Sequence, residues 1–186
     1  MQHQNLDAYL ADLRARAPKG PFALVMAEDG VEVNSTLQHY LTMGFREVIL
    51  LAPEGVGPGT DLAPRIQTVR HDVFAEAALE GAVNVLIEVV PGEWIYAGYN
   101  AEYLYFSFCE TRNVRELIAF HMEERRDAFL SYVIDLYAGD LGRFDNAVSR
   151  EEALLDRSGY YALGRADPAN HNHPRAHTIQ PPPQPM

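Results

Sequence analysis

The chain has 186 residues, of which 47% are hydrophobic, and this length suits one globular domain with its own core. Its 15 basic and 26 acidic residues give a net charge of −11, which argues against sequence-independent binding of nucleic acid, because phosphate contacts need a positive field. Cys109 is the single cysteine, so no internal disulfide can form. The N-terminus lacks the apolar core of a signal peptide, and no apolar run could span a bilayer. We therefore expect a soluble, cytoplasmic protein with no transmembrane segment.

Strand and helix patterns alternate along the first half of the chain. Residues 1–20 are expected to form a helical appendage whose helix is capped by Asn5. A βαβ unit follows, because two apolar strands flank an amphipathic helix that ends at Gly44. Its three predicted elements are residues 22–27, 31–43 and 47–52. A loop rich in glycine and proline comes next, at residues 53–64, and a short strand over residues 65–70 follows it.

The second half of the chain continues this alternation. Residues 83–90 are rich in β-branched side chains and are bounded by a glycine and a proline, which predicts a third central strand. Residues 74–79 are expected to form the crossover helix before it. Asn113 and Glu116 have the spacing of a capping box and predict a helix that runs to about residue 126. The remaining patterns predict strands over residues 94–96 and 129–137 and a short helix that begins at Ser149.

These patterns predict an α/β fold: a single domain over residues 21–165, with a mainly parallel mixed sheet and flanking helices. The predicted core consists of apolar residues at strand or helix period. They are Leu24, Val25, Leu37, Leu41, Val48, Leu50, Leu86, Leu117, Val133 and Leu136. From about residue 166 the chain has no apolar period and is rich in proline and histidine, which predicts a disordered tail over residues 166–186. The abrupt end of the core pattern leaves two expectations open: residues 160–163 are the last structured element, or a longer protein has been truncated here.

At the opening of the predicted domain, an apolar strand ends in the acidic pair Glu28-Asp29, a helix containing His39-Tyr40-Leu41 ends at Gly44, and a second apolar strand follows. This pattern resembles the opening of a family 2 glycosyltransferase. The resemblance implies the nucleotide-diphospho-sugar transferase fold, with Glu28 and Asp29 binding the nucleotide of a UDP- or GDP-linked sugar donor. The sugar would pass to the hydroxyl of an unknown acceptor. From the residues alone, Asp29 also suits a turn and Glu28 a charge at the start of a helix.

The resemblance further implies a Mn²⁺ or Mg²⁺ ion, held by an Asp-X-Asp cluster that follows a strand containing tryptophan. The corresponding positions here read Tyr99-Asn100-Ala101-Glu102. Glu102 keeps the final acid, whereas Tyr99 and Ala101 stand where two aspartates are expected. Glu102, helped by Asn100, would hold a cation weakly, and the alternative is an acid on an exposed strand face. The predicted metal site is therefore degraded, and the pattern assigns no catalytic residue.

Two functional classes stay open at this point. The first is a glycosyltransferase-like enzyme, whose activity is retained or lost. The second is a non-catalytic α/β domain that binds a nucleotide or a protein partner. The overall pattern favours the first class, and the missing acids favour the second.

Overall fold

The computed structural model describes residues 1–155 of the chain. A boundary after Leu130 divides the described residues into two compact units. The first unit holds a five-stranded sheet and four α-helices, and the second holds a two-stranded sheet. In the described part of the chain, no helix has both the length and the apolar character that crossing a bilayer requires.

The first unit is a parallel α/β structure. Its strands are β1 (Gln2–His3), β2 (Phe22–Met26), β3 (Glu47–Ala52), β4 (Ile66–Arg70) and β5 (Ile95–Tyr99). Its helices are α1 (Leu6–Arg16), α2 (Val33–Met43), α3 (Ala78–Val89) and α4 (Val114–Glu123). The strand order is β1-β4-β3-β2-β5, and all neighbouring pairs in this sheet are parallel. The predicted α/β class is confirmed, whereas the nucleotide-diphospho-sugar transferase fold stays a prediction.

Both faces of the sheet are covered, which explains why β2 is apolar throughout. Successive side chains of a strand point to opposite faces, so each face of β2 needs its own apolar partners. Val25 packs on the face covered by α2, where Leu37 is fully buried. Leu24 packs on the other face, against Leu13 of α1 and Leu86 of α3. The sheet therefore lies between two helical layers and holds two apolar cores.

Residues 1–20, which the sequence sets apart as an appendage, contribute β1 to the sheet edge and α1 to one of the cores. Asn5 caps α1 as predicted, because its side chain accepts a hydrogen bond from a backbone N–H of the first turn. Tyr9 is fully buried, and its hydroxyl donates to Glu47 at 2.9 Å. The Arg16 guanidinium donates to the same carboxylate through two bonds of 2.9 Å. These contacts bind the N-terminal segment to the start of β3.

The strand predicted over residues 83–90 is wrong, because residues 83–89 belong to α3 and Val90 is its C-cap. Leu79, Ala82 and Leu86 recur three or four positions apart and pack on the same core, so the segment also carries a helical stripe. Parallel strands of one sheet need a long crossover connection, and the helix supplies it between β4 and β5, which lie on opposite sides of β3 and β2. This tertiary requirement overrides the β propensity of the branched side chains. The helix predicted over residues 74–79 is wrong as well, since turns precede Ala78.

The second unit differs most from the sequence prediction. Of the strand predicted over residues 129–137, only the end is regular, in β6 (Leu136–Ala138). It pairs antiparallel with β7 (Ala153–Leu155), so the helix predicted from Ser149 is wrong. Instead, the Ser149 hydroxyl accepts from the backbone N–H of Glu152 at 3.0 Å, just before β7.

The predicted core is confirmed at six positions of the first unit and is wrong in the second unit. Leu24, Val25, Leu37, Val48, Leu50 and Leu86 are buried. Leu41 and Leu117 are half-buried. Val133 and Leu136 are 64% and 60% exposed, so their apolar character does not mark a core position. Residues 156–165 of the predicted domain and the whole predicted tail lie outside the described residues.

Candidate functional site

The strand order reverses between β2 and β5. From β2 the chain passes to β3 and then β4, and it returns through α3 to β5 on the other side of β2. In open parallel sheets, ligands bind beyond the carboxyl ends of the strands at such a reversal. We call this place the switch crevice and define it by residues 28–31 after β2 and residues 99–102 at the end of β5.

Asn100 joins the two sides of the switch crevice. Its Nδ2 donates to Asp29 Oδ1 at 2.8 Å and to the carbonyl of Val31 at 2.9 Å. Its Oδ1 accepts from the backbone N–H of Glu28 at 3.3 Å, and its own N–H donates to the carbonyl of Met26 at 3.0 Å. The structure thus brings together Glu28, Asp29 and Asn100, which lie about 70 positions apart in the sequence.

The two acids of the Glu28-Asp29 pair differ in their surroundings. Asp29 Oδ1 also accepts from the backbone N–H of Val31 at 2.8 Å, so Asp29 does shape the turn that its sequence context allows. Glu28 is exposed, and its carboxylate makes no hydrogen bond or ion pair with any other described residue. One acid therefore fixes the backbone of the crevice, and the other presents an exposed hydrogen-bond acceptor.

Glu102 closes a turn at the end of β5. Its Oε2 accepts from the backbone N–H of Tyr99 at 2.9 Å, and its own N–H donates to the carbonyl of Tyr99 at 3.3 Å. Gly98 lies beneath this carboxylate. A Cβ atom at Gly98 would lie 2.7 Å from Glu102 Oε2 and 2.6 Å from the Tyr96 hydroxyl oxygen. A glycine is therefore required for the carboxylate to reach the backbone.

Two tyrosines, the buried Tyr40 and the half-buried Tyr96, tie this turn to α2. The Tyr40 hydroxyl donates to the carbonyl of Glu102 at 2.9 Å and is hydrogen-bonded to the Tyr96 hydroxyl at 2.9 Å. Burial raises the pKa of both Tyr40 and Tyr96, so both phenols stay neutral near pH 7. Ala101 has a left-handed φ of 62°, and its N–H donates to the Thr36 hydroxyl at 2.9 Å. These contacts fix the position of residues 99–102 relative to α2.

A fourth acid, Glu32, lies at the start of α2 and was not predicted. Its carboxylate accepts from the Ser35 hydroxyl and, at 3.3 Å, from the Tyr103 hydroxyl. Ser35 and Tyr103 also share a hydrogen bond of 2.9 Å. The Glu32–Ser35 spacing is visible in the sequence, but the partner Tyr103 lies 71 positions away, so no local pattern could have indicated it.

The oxygen atoms of the switch crevice are not arranged to bind a divalent cation. Asp29 Oδ1, Asn100 Oδ1 and Glu102 Oε2 already accept N–H groups of the protein. Mg²⁺ and Mn²⁺ need several converging oxygen ligands. In residues 1–155, no group of three or more His, Cys, Asp or Glu side chains is arranged to hold a metal ion. Metal binding by Glu102 and Asn100 stays a prediction, and the geometry argues against it.

Comparisons with protein-family models, with curated proteins and with solved structures gave no match. The resemblance to a family 2 glycosyltransferase therefore stays an inference from the residue pattern.

Proposed function

We propose that this chain is a glycosyltransferase-like protein that binds the nucleotide of a UDP- or GDP-linked sugar in the switch crevice and has lost most or all transfer activity. The observation that carries the proposal is the Asn100 bridge, which places the acidic pair after β2 beside the turn after β5. This arrangement lies at the reversal of strand order, where parallel α/β sheets bind nucleotides.

The chemistry of the crevice suits the nucleoside part of such a donor. The Glu28 carboxylate is exposed and is an acceptor only, so it can receive hydrogen bonds from ribose hydroxyls or from the N–H groups of uracil or guanine. Asp29 keeps a second carboxylate oxygen beside it. Bonds from neutral donors to a carboxylate are stronger than bonds between neutral groups. Neither acid needs a metal ion to make these contacts.

The residues of the crevice, 28–31 and 99–102, do not supply the positive charge that would stabilise the diphosphate part of the donor. Transfer of the sugar requires the departing diphosphate to be stabilised by positive charge. Here Glu28, Asp29, Glu32 and Glu102 all lie around the crevice, and the net charge of the chain is −11. These charges repel a diphosphate. Binding without efficient transfer is therefore the behaviour we expect.

Calorimetry with uridine, UDP and GDP, each with and without Mn²⁺, tests the proposal. We expect UDP to bind weakly, with a Kd on the order of 0.1–1 mM, which corresponds to about 4–5.5 kcal/mol. Uridine should bind within a few-fold of UDP, because the nucleoside makes the main contacts. Added Mn²⁺ should change the Kd of UDP little, because the crevice oxygens are already engaged.

A matched pair of variants locates the binding. Asn100→Ala removes the bridge, and Asn5→Ala removes a helix cap that lies outside the crevice. Asn100→Ala should weaken UDP binding, and Asn5→Ala should not. Tight, strictly Mn²⁺-dependent binding would instead indicate an active glycosyltransferase. If uridine, UDP and GDP all fail to bind, the proposal is wrong and the partner-binding alternative remains.

A further inference from the structure

A concave site lies at the carboxyl ends of other strands of the sheet, away from the switch crevice. It is a cavity of about 340 Å³ at the carboxyl ends of β1, β3 and β4. This volume is at the lower end of the range for small-molecule sites. Side chains from the strands line one part of it, namely Gln2, Thr68 and Arg70, and the glycine-rich loop of residues 53–58 lines another. We call it the edge cavity.

The polar groups of the edge cavity come together through strand register. Thr68 and Arg70 are two positions apart in β4, so their side chains lie on the same face of the sheet. Gln2 is the register partner of Thr68 on β1. A hydroxyl, an amide and a guanidinium therefore line one wall. Although the chain is strongly acidic, this wall combines one cationic side chain with two neutral hydrogen-bonding side chains.

Arg70 is paired with a carboxylate that a ligand could replace. Its Nη1 lies 2.8 Å from Glu54 Oε2, and the two side chains are 56% and 78% exposed. An ion pair this exposed contributes little free energy, so exchange of its anion costs little. The guanidinium fork fits carboxylates and phosphates equally well. Glu54 thus occupies the position that the anionic group of a ligand would take.

The Glu54 side chain can leave Arg70, because it is 78% exposed and its carboxylate can turn into solvent. The next residue, Gly55, has a φ of +89°. The far end of the loop is fixed, because the Gly59 N–H donates to Asn34 Oδ1 at 2.7 Å.

We propose that the edge cavity binds a small hydroxylated molecule through a phosphate or carboxylate group, which replaces Glu54 on Arg70. Thr68 and Gln2 would bind hydroxyl groups of the remainder of the ligand. This site is separate from the switch crevice, and it does not depend on nucleotide binding there.

Titration of ¹⁵N-labelled protein with inorganic phosphate, glucose 1-phosphate and succinate, followed by NMR, tests the proposal. We expect shifts of the amides of residues 54–58 and 68–70. Glucose 1-phosphate should bind more tightly than inorganic phosphate, because its hydroxyl groups reach Thr68 and Gln2. A response to both phosphates but not to succinate supports the proposal and identifies the anionic group as a phosphate. A response to succinate alone would contradict the proposal, because succinate has no hydroxyl group for Thr68 and Gln2 to bind.

Three variants decide whether Arg70 is responsible. Glu54→Gln should strengthen binding roughly 1.5- to 5-fold, the range that matches the loss of a competing exposed ion pair. Arg70→Gln should weaken it at least about tenfold, because it removes charged hydrogen bonds. The matched control is Arg143→Gln, since the Arg143–Glu152 pair has a similar distance of 2.9 Å and similar exposure but does not line the cavity. Equal effects of Arg70→Gln and Arg143→Gln, unchanged binding in Glu54→Gln, or no response to any of the three compounds would overturn the proposal.

Discussion

Replacing Asn100 by alanine perturbs the switch crevice most directly. The substitution removes two hydrogen bonds that Nδ2 donates, to Asp29 and to the carbonyl of Val31, and one that Oδ1 accepts from Glu28. A typical intramolecular hydrogen bond contributes about 0.5–1.5 kcal/mol to stability. The sum for these three bonds is reduced, because the bond that Oδ1 accepts is long and the site is exposed to solvent. We expect Asn100→Ala to lower the free energy of unfolding by about 1–3 kcal/mol.

Urea unfolding, followed by circular dichroism, measures this loss. Asn100→Asp sharpens the test, because it places a second carboxylate where Nδ2 now lies 2.8 Å from Asp29 Oδ1. Two adjacent carboxylates cannot both ionise without a cost, so the pKa of one of them rises. The stability of Asn100→Asp should therefore fall, relative to Asn100→Ala, as the pH increases from about 4 to 7. If Asn100→Ala unfolds at the same urea concentration as the parent, the bridge does not hold the crevice together.

Three other predictions concern the first unit. Leu50→Ala should lower the free energy of unfolding by about 2–5 kcal/mol in a urea titration, because Leu50 is fully buried, and an unchanged midpoint would contradict its place in the core. Gly98→Ala should cost about 1–3 kcal/mol in the same assay, because the new methyl group displaces the Tyr96 hydroxyl, which is hydrogen-bonded to Tyr40, and the Glu102 carboxylate, and a neutral result would contradict the close approach. The N–H that Gly20 donates lowers the pKa of Glu93, so ionised Glu93 stabilises the fold above its ordinary pKa. The stability difference between the parent and Glu93→Gln should thus be largest at pH 7 and should shrink below about pH 4.

The first unit could be predicted well where local patterns and tertiary packing agree. The strand of Glu47–Ala52 is apolar because both of its faces are buried, and Gly44 ends α2 in the left-handed conformation that glycine adopts easily. The capping box of Asn113 and Glu116 forms as its spacing predicts. In each of these cases a short segment contains all the information that determines its structure.

The sequence prediction failed where contacts between distant segments determine the local structure. In α3, Val83 and Val85 have high β propensity, but the crossover from β4 to β5 is a helix that packs on the core of the sheet. Val133 has the apolar character of a core residue, yet it is largely exposed. Burial depends on packing between distant segments, and local periodicity does not contain that information.

In the candidate site, too, some residues are indicated by a local pattern, whereas other features depend on segments far apart in the sequence. Glu28 and Asp29 could be selected because they follow a buried strand, where parallel sheets place their ligands. The bridge from Asn100 could not be predicted, because it depends on β5 lying next to β2. The role of Glu102 in closing a turn also depends on the shape of the chain around Gly98.

An NMR titration of the ¹⁵N-labelled chain with UDP tests the central claim most directly. The amides of Glu28, Val31 and Asn100 report on the switch crevice, and those of Thr68 and Arg70 report on the edge cavity. We predict saturable shifts in the first group, in the absence of Mn²⁺, that Asn100→Ala weakens. Shifts confined to Thr68 and Arg70, or no shifts at all, would contradict nucleotide binding at the reversal of strand order.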